Sequence, residues 1–246
     1  MVAPPDNPEN PDNEVIWARS LQHSPSGAPA LAGVSLGVRE GEILAVCGPR
    51  GSGKTTLLRC LSGQTVADEG EVWFNSAPVH TLSRPQRERL RRERFAWIGP
   101  EPTLLPELTV WENAALPLLL RGTTRREAKA TALEWLERLD VGDHSRRRPR
   151  HLTPAQRQRT ATARALAAGP AVLFADEPTA TLHRADRAHV LRTLTTAARS
   201  HQITVVLATH DPEVAAIADR VVELLDGRRV AAAPEPEGRA ACSLSV

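Results

Sequence analysis

Short apolar runs closed by turns, each followed by a longer stretch with apolar positions at helical spacing, set the rhythm of the chain from about residue 14 to residue 232. Three runs predict strands buried on both faces: Ile43–Cys47, Val172–Ala175 and Ile203–Ala208. Helical spacing predicts helices over Lys54–Ser62, Val110–Leu120, Arg125–Leu139, Gln156–Ala167 and Arg184–Ser200. The alternation implies an α/β domain with a largely parallel sheet. From Arg84 to Ala167 the pattern is mainly helical, so this stretch is expected to form a helical insert. The sequence holds no internal repeat.

The ends differ in character. Residues 1–13, rich in Pro, Asn and acidic side chains, lack the basic and apolar blocks of a signal peptide and are expected to be a disordered leader. Residues 233–246, with Pro234, Pro236 and Gly238, are expected to be a flexible tail. The longest apolar stretch, Ala114 to Leu120, is interrupted by Pro117 and falls far short of the ~20 residues of a spanning helix, so no membrane crossing is expected.

Composition narrows the classes. The formal charge is +2, from 31 basic and 29 acidic residues, which gives no global positive field of the kind a nucleic-acid binder carries. The arginine clusters Arg84–Arg94 and Arg146–Arg150 lack interleaved aromatics and are expected to be solvated helix faces. Cys47, Cys60 and Cys242 have neither metal-ligand spacing nor an even count, as in a reduced cytosolic chain. Lys54 and Lys129 are the only lysines, which makes Lys54 conspicuous.

Lys54 stands in the strongest motif of the chain. Gly48, Pro49, Arg50, Gly51, Ser52, Gly53, Lys54 and Thr55 match a phosphate-binding loop in full, with Thr56 next, between an apolar strand and a helix. The glycines let successive N–H groups face a β-phosphate, and the helix N-terminus adds its positive dipole end. Lys54 is expected to neutralise the β- and γ-phosphates of ATP, and the Thr55 hydroxyl to enter the shell of a Mg²⁺ ion. The run Val172–Ala175 leads into Asp176 and Glu177, placing two carboxylates at the carboxyl end of a buried strand, where open α/β sheets bind ligands. Asp176 is expected to be the magnesium partner and Glu177 to polarise the attacking water. His210 follows another buried strand and reads equally well as a structural residue or as a γ-phosphate contact.

The order of motifs resolves that choice. GPRGSGKTT, LLPELTVWENAALPL, LTPAQRQRTATARAL, VLFADEPTATLH and VVLATHD together resemble the ABC ATPases over about Val15 to Ala232. The middle segment is most similar to their lipoprotein-release and macrolide-export group. The resemblance implies a P-loop NTPase of ABC type, with a mostly parallel sheet core, an antiparallel β element and a helical subdomain at about residues 99–167. It also implies a dimer in which one chain's phosphate loop and the other's signature motif enclose each ATP. Partners would be membrane permease subunits, and the chain would sit peripherally at the inner face of the cell membrane.

Four features depart from the family pattern. The usual Leu-Ser-Gly-Gly-Gln signature is Leu152-Thr153-Pro154-Ala155-Gln156, in which Thr153 keeps a hydroxyl but Pro154 has no N–H and Ala155 adds a Cβ. A glutamine is replaced by Pro100, with Glu101 beside it; an acidic residue by His183; and the adenine-stacking aromatic by His23. These departures imply a chain whose own phosphate site is intact and whose contribution to its neighbour's site is weakened. A heterodimer with a second, regular ATPase subunit is therefore expected over a homodimer. The expected function is ATP hydrolysis that powers transport. The alternatives are a nucleotide-binding regulatory subunit with little hydrolysis and a soluble ABC ATPase outside transport.

Overall fold

A computed structural model describes residues 14–25 and 27–230; the expected leader and tail lie outside the described residues. The strands are β1 (Glu14–His23), β2 (Leu31–Arg39), β3 (Ile43–Cys47), β4 (Glu69–Phe74), β5 (Ala77–Pro78), β6 (Phe95–Ile98), β7 (Val172–Asp176), β8 (Thr204–Thr209), β9 (Arg220–Leu225) and β10 (Arg228–Arg229). The helices are α1 (Lys54–Leu61), α2 (Arg84–Arg94), α3 (Val110–Leu120), α4 (Arg125–Arg138), α5 (Pro154–Ala167), α6 (Arg184–Ser200) and α7 (Pro212–Ala215).

Six strands form the central sheet in the order β10-β9-β3-β8-β7-β6, parallel except for the β9–β10 hairpin. An antiparallel sheet of order β2-β1-β4-β5 packs beside it. Strands β3, β7 and β8 are apolar on both faces because both are covered. Leu44, Val46, Phe174 and Val206 join α1 and the antiparallel sheet in one core, while Ile43, Leu173, Val205 and Leu207 join α3 to α6 in a second. Phe95 meets Phe74 and Phe174 edge to face, with ring centroids 4.9 and 5.4 Å apart, which fastens the two sheets together.

The helical run expected from Arg84 is broken. Phe95–Ile98 is a strand paired with β7, so α2 belongs to the sheet side and the helical lobe begins only after Ile98. Four residues were too few for a period to show, and pairing with β7 decides their conformation. The lobe consists of α3, α4 and α5, which pack on one another. Its helices start at defined caps: Thr109, Thr124 and Thr153 each accept a hydrogen bond from the backbone N–H three residues on. The arginines of α2 form i,i+4 pairs, Arg84 with Glu88 and Arg89 with Glu93, on an exposed helix without a buried residue, as expected of a solvated face. Among the described residues no helix is long and apolar enough to cross a membrane.

Candidate functional site

Strands β3, β7 and β8 lie side by side and parallel, so their carboxyl ends, Cys47, Asp176 and Thr209, open at one edge of the sheet. From that edge the chain supplies Gly48–Thr56, then Glu177, then His210. The residues singled out in three separate motifs are thereby brought together.

The loop after β3 is shaped by its glycines. Gly48 and Gly53 have φ of 153° and 100°, and a Cβ on them would lie 2.1 Å from Leu224 O and 2.2 Å from Ala30 O, so the surrounding backbone excludes any larger residue. Gly51, at φ 82°, has open space around its Cβ position, so the middle of the loop is uncovered. Lys54 is buried, and its Nζ donates to Gly48 O at 2.7 Å and Pro49 O at 2.8 Å, which curls the loop around the ammonium group. Ser52 Oγ is buried with no partner, a polar atom left for a ligand. Arg50 is exposed at the loop tip, and Thr56 follows Thr55 in the first turn of α1.

Thr55 Oγ1 donates to Asp176 Oδ1 at 3.1 Å, so two hard oxygens converge beside the loop. Asp176 is 3% exposed, and burial pushes its carboxyl above the usual range against the pull of Thr55, while the neighbouring charge of Glu177 raises it further. A buried carboxylate beside a hydroxyl and an open phosphate loop suits a small divalent cation whose remaining ligands are phosphate and water. Among the described residues no group of three or more His, Cys, Asp or Glu side chains forms a separate metal cluster.

Glu177 adopts φ 47°, its N–H donates to Ala208 O at 2.9 Å, and its carboxylate lies 2.7 Å from His210 Nδ1 and accepts from Thr209 Oγ1 at 3.4 Å. The strained turn directs the carboxylate toward the end of β8. Such a carboxylate can take a proton from water, and the imidazole beside it can donate to an anion. Next to His210, Asp211 forms an ion pair with Arg187 of α6.

The signature segment lies elsewhere, at the start of α5. Thr153 is the N-cap, its N–H donates to Gln156 Oε1 at 3.0 Å, and its hydroxyl accepts from Gln156 N at 3.2 Å. Pro154 occupies the first helical position, where its fixed φ suits the helix. The Gln156 amide nitrogen is also 2.6 Å from His144 Nε2. Arg157 N bonds Thr153 O at 3.0 Å, leaving Ala155 with the one N–H of this first turn that is not engaged. The methyl group of Ala155 packs against the lobe core. Thr153 and Gln156 are thus turned on each other and make no hydrogen bond to the chain's own phosphate loop.

Of the other departures, Pro100 and Glu101 are exposed, and Glu101 has no hydrogen bond or ion pair among the described residues. His23 Nδ1 lies 3.2 Å from Asp68 Oδ1, with a side chain only 12% exposed. Two buried amides escaped the sequence reading. Asn113 donates to Leu105 O, Leu108 O and Thr109 O and accepts from Leu105 N, fixing the loop before α3. Gln158 donates to Gly99 O and Pro178 O. Asn113 carries a readable signal, a polar residue among the apolar positions of its helix, whereas Gln158 lies in an arginine- and alanine-rich helix and carries none.

The sequence profile of a family described as "ABC transporter" matches residues 31–180. Among curated proteins, the lipoprotein-releasing system ATP-binding protein LolD 2 of Rhodopseudomonas palustris is 39% identical over 222 residues, covering 88% of this chain and 95% of the relative. The macrolide export ATP-binding/permease protein MacB of Marinobacter nauticus is 37% identical over 212 residues, but the chain spans only 33% of its length. Among solved structures, the dimeric post-hydrolysis state of the ATP-binding cassette MJ0796 bound to ADP and Pi superposes with a TM-score of 0.83 at 30% identity, over 88% of this chain and 97% of that one.

Proposed function

The chain belongs to the ABC transporter family, and on that premise we propose that it is an ATP-hydrolysing subunit that powers a membrane transporter through nucleotide-driven dimer closure. The observation that carries this reading is the convergence of Lys54, Thr55, Asp176, Glu177 and His210 at one sheet edge. Thr55 and Asp176 would hold a Mg²⁺ ion, which would supply positive charge against that of the phosphates. The residues Gly48 to Thr56 cradle the phosphates, and Lys54 exchanges its loop carbonyls for phosphate oxygens. Glu177 orients the attacking water and takes its proton, while His210 positions Glu177 and contacts the γ-phosphate.

The permease partner is best accommodated in a groove of ≈430 Å³ along the seam between the sheet and the helical lobe. Phe95, Trp97, Leu116 and Leu120 give it an apolar floor, Arg91, Arg92, Arg121 and Arg164 rim it, and none of its lining residues is acidic. An amphipathic permease helix with acidic flanks complements that surface, and lobe movement on dimer closure deforms it. On this reading the chain sits peripherally at the inner face of the cell membrane, held there by its permease.

The dimer partner is a second ATPase with a regular signature. Pro154 and the Thr153–Gln156 capping box leave a single free first-turn amide for a partner's γ-phosphate.

The test uses the full chain isolated with its native partners. Glu177→Gln is expected to retain MgATP binding while turnover falls by about 10²–10³-fold, and Lys54→Ala to lose binding. Wild-type turnover no faster than that of Glu177→Gln would favour the regulatory-subunit reading.

A further inference from the structure

Gln158 is fully buried in α5, yet its side chain donates to neither the phosphate loop nor the signature segment at that helix's start. Its Nε2 donates to two backbone carbonyls from different parts of the fold, Gly99 O at 3.0 Å and Pro178 O at 2.8 Å. Gly99 directly follows strand β6 and opens the loop into the helical lobe; Pro178 directly follows Glu177. One amide group of the lobe therefore holds the sheet's exit loop and the turn that carries the carboxylate.

The amide orientation is determined by chemistry. Two acceptors surround one NH₂ group, and flipping the side chain would set a third oxygen against both carbonyls. Gln158 Oε1 is buried without a partner, a cost that a leucine or methionine of similar size would avoid. The side chain thus retains an unfavourable atom in order to make these two bonds. Pro100, next to Gly99, has no side-chain donor or acceptor, so in this loop the backbone carbonyl is what the lobe grips.

Resting on the proposed function, we propose that Gln158 is a positioning residue for Glu177, transmitting the placement of the helical lobe to the carboxylate through Pro178. Glu177 sits at φ 47°, and Ala180 N bonds back to Glu177 O at 3.1 Å, so the turn is tight and a shift of Pro178 turns the carboxylate with it. When the lobe is drawn in by a permease or a dimer partner, α5 pulls on Gly99 and Pro178 together.

The experiment compares Gln158→Leu and Gln158→Glu with the wild type, each as the full chain isolated with its native partners. Gln158→Leu keeps the size and removes both donors; it is expected to lower kcat by about 10–100-fold with MgATP affinity held within roughly two-fold. Gln158→Glu can donate one bond only while protonated, so its turnover relative to the wild type is expected to be higher at about pH 6 than at about pH 8. Unchanged kcat in either folded variant overturns the proposal. Loss of ATP affinity in step with turnover in both variants, or a flat pH ratio, shows a purely structural residue and overturns it as well. Wild-type turnover no faster than Glu177→Gln overturns the functional reading itself, which separates the two failures.

Discussion

His210 Nδ1 and Glu177 Oε1 stand 2.7 Å apart, each one residue beyond the end of its strand, on the adjacent strands β8 and β7. Parallel pairing thereby sets the base and its neighbour in register. Thr209 adds a second, longer bond to the same carboxylate, so Glu177 is held from the β8 side on both oxygens. Removing the imidazole frees one of them. His210→Ala is expected to lower kcat by about 10²-fold or more while MgATP affinity changes by less than roughly two-fold. Steady-state turnover with a calorimetric titration checks both, and an equal loss of affinity and rate would make His210 a binding residue.

Asp176 gives a pH dependence with a definite sign. Burial raises its carboxyl above the ordinary value of 3.8 in the folded chain, so the folded state holds the proton more tightly than the unfolded one. Ionised Asp176 therefore costs stability. That cost is absent below the ordinary value, grows as pH rises from there, and is complete once pH has passed the raised one. Asp176→Asn removes it. The ligand-free variant is expected to melt roughly 2–4 °C above the wild type near pH 7, for a gain of about 1 kcal/mol, with the difference closing toward about pH 4. Mg²⁺-dependent turnover is lost in the same variant. A melting point below the wild type's at neutral pH would mean that the Thr55 bond outweighs burial.

The phosphate loop, the Asp176–Glu177 strand end and His210 were legible because each couples a strongly apolar run to a specific polar residue at its end. Helices α3 and α6 matched to the residue, since helical spacing marks both and the Thr109 cap marks the start of α3. Strand β6 was not legible: four residues between an arginine-rich helix and a loop carry no usable period, and their partner lies more than 70 residues away along the chain. The antiparallel strands were expected only through resemblance, because exposed β-bulges such as that near Ser20 break their alternation. Gln158 was overlooked because a glutamine in an arginine- and alanine-rich helix reads as solvated; only packing reveals that its position faces Gly99 and Pro178.

The groove on the seam offers a direct test of partner choice. Leu120 is 64% exposed, so changing it leaves the fold intact, while Arg92 supplies rim charge. Leu120→Asp and Arg92→Glu are each expected to leave melting temperature and MgATP affinity unchanged, because neither residue nears the phosphate loop. Both are expected to release the permease from the isolated complex, with Arg92→Glu more sensitive to salt. Retention of the permease by both variants would place its docking site elsewhere.

The signature helix supplies the last prediction. In a homodimer, both ATP molecules would close against Thr153, Pro154 and Ala155, and the first turn of α5 is poorly equipped for this. Pro154 has no N–H, Gln156 N is held by the Thr153 hydroxyl at 3.2 Å, and Arg157 N is held by Thr153 O at 3.0 Å. One amide, that of Ala155, would face a γ-phosphate with no help from its neighbours. Pro154→Gly with Ala155→Gly restores an amide and removes a Cβ, at the cost of helix propensity in the first turn, about 1 kcal/mol for the alanine replaced by glycine. The capping box through Thr153 and Gln156 is untouched, so α5 keeps its start. The chain alone is therefore expected to hydrolyse ATP slowly and to remain monomeric, and the double glycine variant to dimerise with MgATP and gain about 10-fold or more in turnover. Rate against concentration, read beside sedimentation, distinguishes the cases. Vigorous, concentration-dependent hydrolysis by the unmodified chain, unimproved by the two glycines, would show that one free amide suffices and that no second kind of ATPase subunit is needed.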